Sequence, residues 1–175
     1  MLFAKLTGMH SRCLFVLACI LAYVIPGFCQ SSPEFAPNPF VVAGLELGQK
    51  LTYNDFVKKF GKPDKYSKSY LDETEIYYQE RYEISNSWFE CNEEIFTQFG
   101  IGDAKYSVYS NYIEGGIRVG DKLSKYDNCV LGKPEFYRKE DDGSDTYRFP
   151  WKTDDSLFLR VNDGVIVYIK FFSPM

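Results

Sequence analysis

Hydrophobic residues fall into three successive rhythms along this chain. Cys13 to Ile25 form a nearly unbroken apolar run of thirteen residues. A helical spacing follows at Tyr53, Phe56, Val57 and Phe60, the i, i+3, i+4, i+7 stripe of one helix face. Alternation then takes over. Ile76, Tyr78, Tyr82 and Ile84 share one parity, and β-rich stretches run near Trp88 to Phe99 and Lys105 to Tyr112. Towards the C-terminus Thr146 to Phe149, Leu157 to Val161 and Val165 to Phe172 read as further strands. Asn162-Asp163-Gly164 separates the last two. A tight primed turn needs the positive φ that Asp-Gly tolerates, so this pair is predicted to form a hairpin.

The first apolar run is preceded by Lys5 and Arg12 and ended by the helix-breaking Pro26-Gly27. These are the three parts of an export signal. The run is too short for a membrane anchor, because a helix needs roughly 20 residues to cross a hydrocarbon core of about 30 Å. Residues 1–29 are therefore predicted to be a cleavable signal peptide, and the mature chain has no transmembrane segment. Gly27 and Cys29 supply the small side chains wanted before the scissile bond, which places cleavage between Cys29 and Gln30. Lipid attachment at Cys29 is the alternative; the bulky Phe28 directly before it fits that signal poorly. The protein is expected in the periplasm, on the cell surface or outside the cell.

Past a flexible N-terminal segment, residues 30–43, the chain contains one segment twice. Gly44-Leu45-Glu46-Leu47-Gly48-Gln49-Lys50-Leu51-Thr52 matches Gly116-Ile117-Arg118-Val119-Gly120-Asp121-Lys122-Leu123-Ser124 at an offset of 72 residues. The match resumes at Gly61-Lys62-Pro63 and Gly132-Lys133-Pro134. Two repeat units follow from this, 44–115 and 116–175. In each, a good N-cap (Thr52, Ser124) precedes an acid three residues later (Asp55, Asp127), which favours the positive end of a helix dipole. Each helix should stop at Gly61 or Gly132, with a proline two residues on. Phe56, Val57 and Phe60, with Tyr126, Cys129 and Val130 in the second copy, are the expected sheet-facing positions. The predicted fold is α+β: two tandem helix-then-antiparallel-meander repeats, helices packed on one face of a sheet.

An apolar-x-apolar-Gly start, a short helix, a Gly-x-Pro stop, a Tyr-bearing strand and a closing Asp-Gly hairpin are carried here by Ile117, Val119, Gly120, Leu123, Gly132, Pro134, Tyr147, Leu157, Phe158 and Asp163-Gly164. The combination resembles two groups. One is the β-lactamase-inhibitor-protein fold, with two such units; the other is the small lipoprotein of the outer-membrane-assembly machine, with one. The first unit departs from the pattern by extra residues between its strands, including Ser85 to Glu94. The resemblance implies a scaffold and a non-catalytic binding role, and carries over no ligand.

Composition narrows the chemistry. Without residues 1–29, 146 residues remain, and losing Lys5 and Arg12 turns the net charge from −4 to −6. At that length about two-thirds of the unfolded surface is buried on folding, so no metal or disulfide is required for a core. An acidic surface argues against nucleic acid and anionic lipid. The one histidine, His10, lies in the signal, which removes His-dependent nucleophile activation and His-containing zinc sites from the mature protein. Cys91 and Cys129 either bridge in an oxidising compartment or serve as buried thiols. Asp141-Asp142-Gly143-Ser144-Asp145 and Asp154-Asp155 lack calcium-loop spacing and read as polar turns. No cofactor, metal or catalytic residue is assigned.

The excess of aromatics, 14 Tyr and 15 Phe with Trp88 and Trp151, suggests that rings lie on the sheet face the helices leave bare. The functional expectation is an exported, non-enzymatic binding module whose aromatic sheet face contacts a protein in the cell envelope or outside the cell. No ligand-binding residue is singled out. The alternatives are a small carboxylate-dependent hydrolase and a glycan-binding envelope protein.

Overall fold

A computed structural model describes residues 40–73, 75–149 and 155–172. The signal segment, the Cys29-Gln30 bond, Trp151 and Asp154 lie outside the described residues. The strands are β1 (Val41–Val42), β2 (Leu45–Glu46), β3 (Lys65–Tyr70), β4 (Tyr78–Ile84), β5 (Ser87–Asn92), β6 (Ile95–Ile101), β7 (Ser107–Ser110), β8 (Ile113–Arg118), β9 (Glu135–Lys139), β10 (Asp145–Arg148), β11 (Ser156–Asn162) and β12 (Val165–Phe172). One α-helix, α1 (Tyr53–Phe60), and one 3-10 turn, Leu123–Tyr126, interrupt them.

The start of α1 is fixed by its own sequence. Asp55 N–H donates to Thr52 Oγ1 at 3.2 Å, and Thr52 N–H donates back to the Asp55 carboxylate at 3.3 Å, a capping box with Asp in the acidic position. Lys58 and Lys59 lie in the last turn, where the dipole favours cations, and the helix ends at Gly61, whose φ of 89° favours glycine. Removing the cap hydroxyl with Thr52→Ala should cost about 1 kcal/mol. Urea unfolding checks this; an unchanged midpoint would mean that the helix start is held by packing alone.

Nothing equivalent happens at Ser124. That residue lies inside the 3-10 turn, whose cap position is Lys122, and no side chain caps it. Tyr126 instead ties the turn down, donating its hydroxyl to Gly116 O at 3.0 Å and also meeting the Asp121 carboxylate. The apolar stripe is too thin to hold a longer helix, and Val130, expected against the sheet, is 70% exposed. The α+β expectation of two helix-then-meander repeats with helices on one face is therefore corrected. Strands dominate the described residues, in two antiparallel sheets, with a single eight-residue α-helix.

The smaller sheet has the order β2-β1-β7-β8 and the larger β3-β4-β5-β6-β12-β11-β10-β9. The larger one is two four-stranded meanders joined edge to edge through β6 and β12. Ser85 to Glu94, read from sequence as extra residues between strands, contains β5, an interior strand of the first meander.

The duplicated sequence segments make corresponding backbone bonds to the last hairpin of each meander. Gly48 N–H donates to Phe96 O and Gly120 N–H to Ile166 O, both at 2.8 Å. Leu51 N–H meets Glu94 O at 2.7 Å, and Leu123 N–H meets Gly164 O at 2.9 Å. Phe96 and Ile166 return the bond to Gln49 O and Asp121 O, both at 2.9 Å.

One face of the larger sheet is covered. At its β3 to β5 end, Phe56 from α1 stacks on Tyr82 with centroids 4.6 Å apart and meets Phe89 at 5.6 Å. At the seam, Phe40, just before β1, lies 5.2 Å from Phe171. Beyond the seam Tyr126 meets Phe149 edge-on. Phe56 and Tyr126 are buried as expected, whereas Val57, Phe60 and Cys129 are half-buried. Cys91 and Cys129 are both free thiols. Cys91 is buried on the covered face, where loss of solvent pushes its thiol pKa well up, and Cys129 Sγ donates to Tyr112 O at 3.1 Å. The bridge considered for this pair is not formed.

Candidate functional site

The uncovered face of the larger sheet can be built directly from strand register. Side chains alternate along each strand, so residues paired across strands line up in rows. The middle row runs Arg148, Phe158, Lys170, Gly100, Trp88, Glu83. On one side of it lie Arg138, Thr146, Arg160 and Tyr168, and on the other Gln98, Glu90 and Arg81. Together with Phe172 and Tyr137, most of these residues line an open groove of about 450 Å³ that crosses the seam between the two meanders.

Gly100 occupies the centre of the middle row. Its backbone conformation is one that any residue adopts, so the requirement is space. A Cβ there would run into Tyr168 Oη and the indole of Trp88. These two rings close over the glycine from opposite halves of the sheet, with Trp88 Nε1–H donating to Tyr168 Oη at 2.6 Å. The bond leaves the phenolic hydrogen of Tyr168 as a donor. Gly102, two residues on and just past the end of β6, is also crowded by Tyr168 and by the backbone of Asn86.

Cations lie on these rings. The Arg81 guanidinium lies 4.3 Å over Trp88, and Lys170 Nζ is 5.4 Å from the centroid of Phe172. At the far wall Tyr137 and Phe158 tilt against each other at 5.2 Å. Tyr137 is 51% and Phe172 40% exposed, although neither is needed to fill the core.

The carboxylates of the groove are mostly held by neighbours. Glu140 accepts from Arg138 Nε at 2.8 Å and from the Thr146 hydroxyl, and the Arg138 bond holds its pKa below the ordinary glutamate value. Glu90 accepts from Gln79 Nε2 at 3.0 Å. Burial raises its pKa, while Arg81 and Lys170 pull it down. Burial likewise raises the Tyr168 phenol, and the Trp88 hydrogen bond opposes that shift. Glu140 is therefore a charged ligand of Arg138, a poor general acid.

The positions singled out from sequence lie elsewhere or serve other ends. Cys91 and Cys129 take no part in the groove. Asp142 accepts from Ser144 N–H at 3.1 Å inside the β9–β10 turn, as a polar turn residue does. Trp88 is the one tryptophan of the expected aromatic face among the described residues. The partners that make it a site, Gly100 and Tyr168, carry no local signal. Among the described residues, no helix is long and apolar enough to cross a membrane. Compared with protein families, with curated proteins and with solved structures, the chain matches none.

Proposed function

We propose that this chain is an exported, non-catalytic binding module that holds a protein partner of the cell envelope or extracellular space in the groove across its larger sheet. The observation that carries the reading is the seam itself. Trp88 and Tyr168, one from each meander, join over a glycine that leaves room for them, and exposed rings flank them. Rigid aromatics beside arginines are the residues that dominate protein interfaces, because they offer contact area at little entropic cost. The matching backbone bonds at Gly48 and Gly120 support descent of the two halves from one duplicated unit. A groove at the junction then draws residues from both copies.

The hydrolase alternative calls for two convergent carboxylates free to share a proton or flank a substrate. Glu140, just past β9, is tied to Arg138 and Thr146, and Glu90 on β5 is tied to Gln79, which favours the binding reading. The test is affinity capture from an envelope or culture-supernatant fraction with wild-type protein and Phe158→Ala/Phe172→Ala as baits. The double variant should lose the captured partner while its unfolding midpoint shifts little, since Phe158 is half-buried and Phe172 exposed. Equal capture by both baits would remove the groove from the interface.

A further inference from the structure

The groove differs in charge from the molecule that carries it. Its lining includes Arg81, Arg138, Arg160 and Lys170 against Glu140, with Glu90 beside Arg81 at its margin, whereas the whole chain has 20 basic and 24 acidic residues. The acidic excess therefore lies outside the groove. Cations are not equally compensated within it. Arg138 is paired with Glu140 at 2.8 Å, and Arg81 bonds Glu83 at 3.1 Å. Arg160 has only a long pair, 3.5 Å, to the exposed Asp142, and Lys170 makes no ion pair among the described residues. Arg148, beside Phe158 in the middle row, has a buried Nε without a hydrogen-bond partner among the described residues.

We propose that the groove takes an acidic protein segment, with partner carboxylates on Lys170 and Arg160 and an apolar or aromatic partner side chain on the Trp88–Phe172 side. The proposal rests on the reading of this face as a protein-binding groove and names the chemistry of the partner. Lys170 and Arg160 are diagonal neighbours on the adjacent strands β12 and β11, Arg160 pairing with Tyr168 and Lys170 standing two residues from it, so carboxylates two residues apart on an extended segment match their spacing of about 7 to 8 Å. The Tyr168 phenolic hydrogen adds a neutral donor beside them, over Gly100.

A sugar is the competing occupant, because aromatic rings and cations also suit acidic glycans. Sugars stack on bare ring faces, and these rings are not bare. Arg81 covers Trp88, Lys170 lies over Phe172, and Tyr137 and Phe158 are turned onto each other. A guanidinium lying on an aromatic face still directs its edge donors at a carboxylate, and a fork of that kind reads Asp or Glu well. The arrangement favours carboxylates held at the level of the cations, with apolar contact at the rim.

Panning a phage library of random peptides against the immobilised protein tests this. The same panning is run on Phe158→Ala/Phe172→Ala and on Arg160→Gln/Lys170→Gln, each first shown to unfold cooperatively. The wild type should enrich peptides that combine Asp or Glu with an aromatic or aliphatic residue. A synthetic winner should bind at least about tenfold more tightly than its Asn/Gln counterpart and lose affinity with salt, as exposed charge pairs do. It should bind the Arg160→Gln/Lys170→Gln variant about tenfold more weakly. Winners without acidic excess, lost on the aromatic variant but kept on Arg160→Gln/Lys170→Gln, would overturn the acidic partner and leave the groove reading standing. Winners that bind all three proteins alike would overturn both. Failure to enrich any peptide, with retention on a uronic-acid oligosaccharide instead, would overturn the proposal in favour of a glycan. Comparing the acidic winner with its amide counterpart on wild-type protein needs no variant to fold.

Discussion

Phe56→Ala is expected to lower the unfolding free energy by about 3 to 5 kcal/mol, the range for deleting a buried phenylalanine where the surroundings collapse only in part. Phe56 is fully buried at the centre of an aromatic cluster, between Phe60 at 4.8 Å, Tyr82 at 4.6 Å and Phe89 at 5.6 Å. Those neighbours stand on α1, β4 and β5, so no single element can move to fill the space. Small domains are stable by only about 5 to 15 kcal/mol, which makes this one change a large share of the total. Urea unfolding followed by far-ultraviolet circular dichroism measures it. A loss below about 1 kcal/mol, the size seen at surface sites, would mean that α1 is not seated on the sheet through Phe56.

Helix α1 was legible because all its determinants are local: a cap with its acid, a four-position stripe and a terminal glycine. The closing hairpin was legible for the same reason, since Asp163 and Gly164 adopt the positive φ values, 51° and 76°, that Asp-Gly announces. Elsewhere the same geometry is made without the usual residues. Glu93 and Glu94 both take positive φ, 51° and 64°, and split Trp88 to Phe99 into β5 and β6. Ser85, at φ 52°, makes the turn before β5. No glycine marks these turns, and the positive φ falls on Ser85, Glu93 and Glu94 rather than on the neighbouring Asn86 or Asn92, so β5 reads as an insertion. Strands β3 and β9 escape for another reason. They are the two edges of the larger sheet and largely exposed, so Lys65-Tyr66-Ser67-Lys68-Ser69-Tyr70 and Glu135-Phe136-Tyr137-Arg138-Lys139 show no buried alternation. Lysines on such edges discourage pairing with other chains.

The second helix fails on tertiary grounds. Ser124 and Asp127 have the right spacing for a cap, but the Tyr126 hydroxyl is engaged by Gly116 O and Asp121, and the chain turns in 3-10 form around that anchor. A bond between residues ten apart is invisible to a cap pattern. The groove was hidden by bulges. The register shifts between Glu90 and Cys91, between Thr146 and Tyr147 and between Arg160 and Val161, and each shift reverses which parity faces outward. Counting alternate residues along the sequence therefore cannot place Trp88, Tyr137, Phe158 and Tyr168 on one face. Pairing across strands does.

Gly100→Ala should separate the groove from the fold. The substitution adds one methyl group where Tyr168 Oη and the Trp88 indole already meet, so the two rings must part and their 2.6 Å hydrogen bond must break. Overpacking of this kind costs about 1 to 3 kcal/mol. The cost stays in that range because the crowding atoms belong to side chains, and Gly100 keeps an extended conformation open to alanine. Binding should suffer more, by at least about tenfold, since partner contacts cluster on preorganised aromatic anchors and this change displaces two of them at once. Tryptophan emission reports the displacement: in a Trp151→Phe background the signal comes from Trp88, and it should shift to longer wavelength as the indole leaves the floor for water. Tyr168→Phe provides the contrast, because it removes the hydrogen-bond acceptor while leaving a ring in place, at a cost of about 0.5 to 1.5 kcal/mol. Should Gly100→Ala leave both emission and partner capture at wild-type values, the Trp88–Tyr168 floor is not part of the binding surface. Loss of capture in Gly100→Ala with retention in Tyr168→Phe would assign recognition to the shape of the floor, and loss in both would assign it to the bond that holds the two halves of the sheet together over their shared seam.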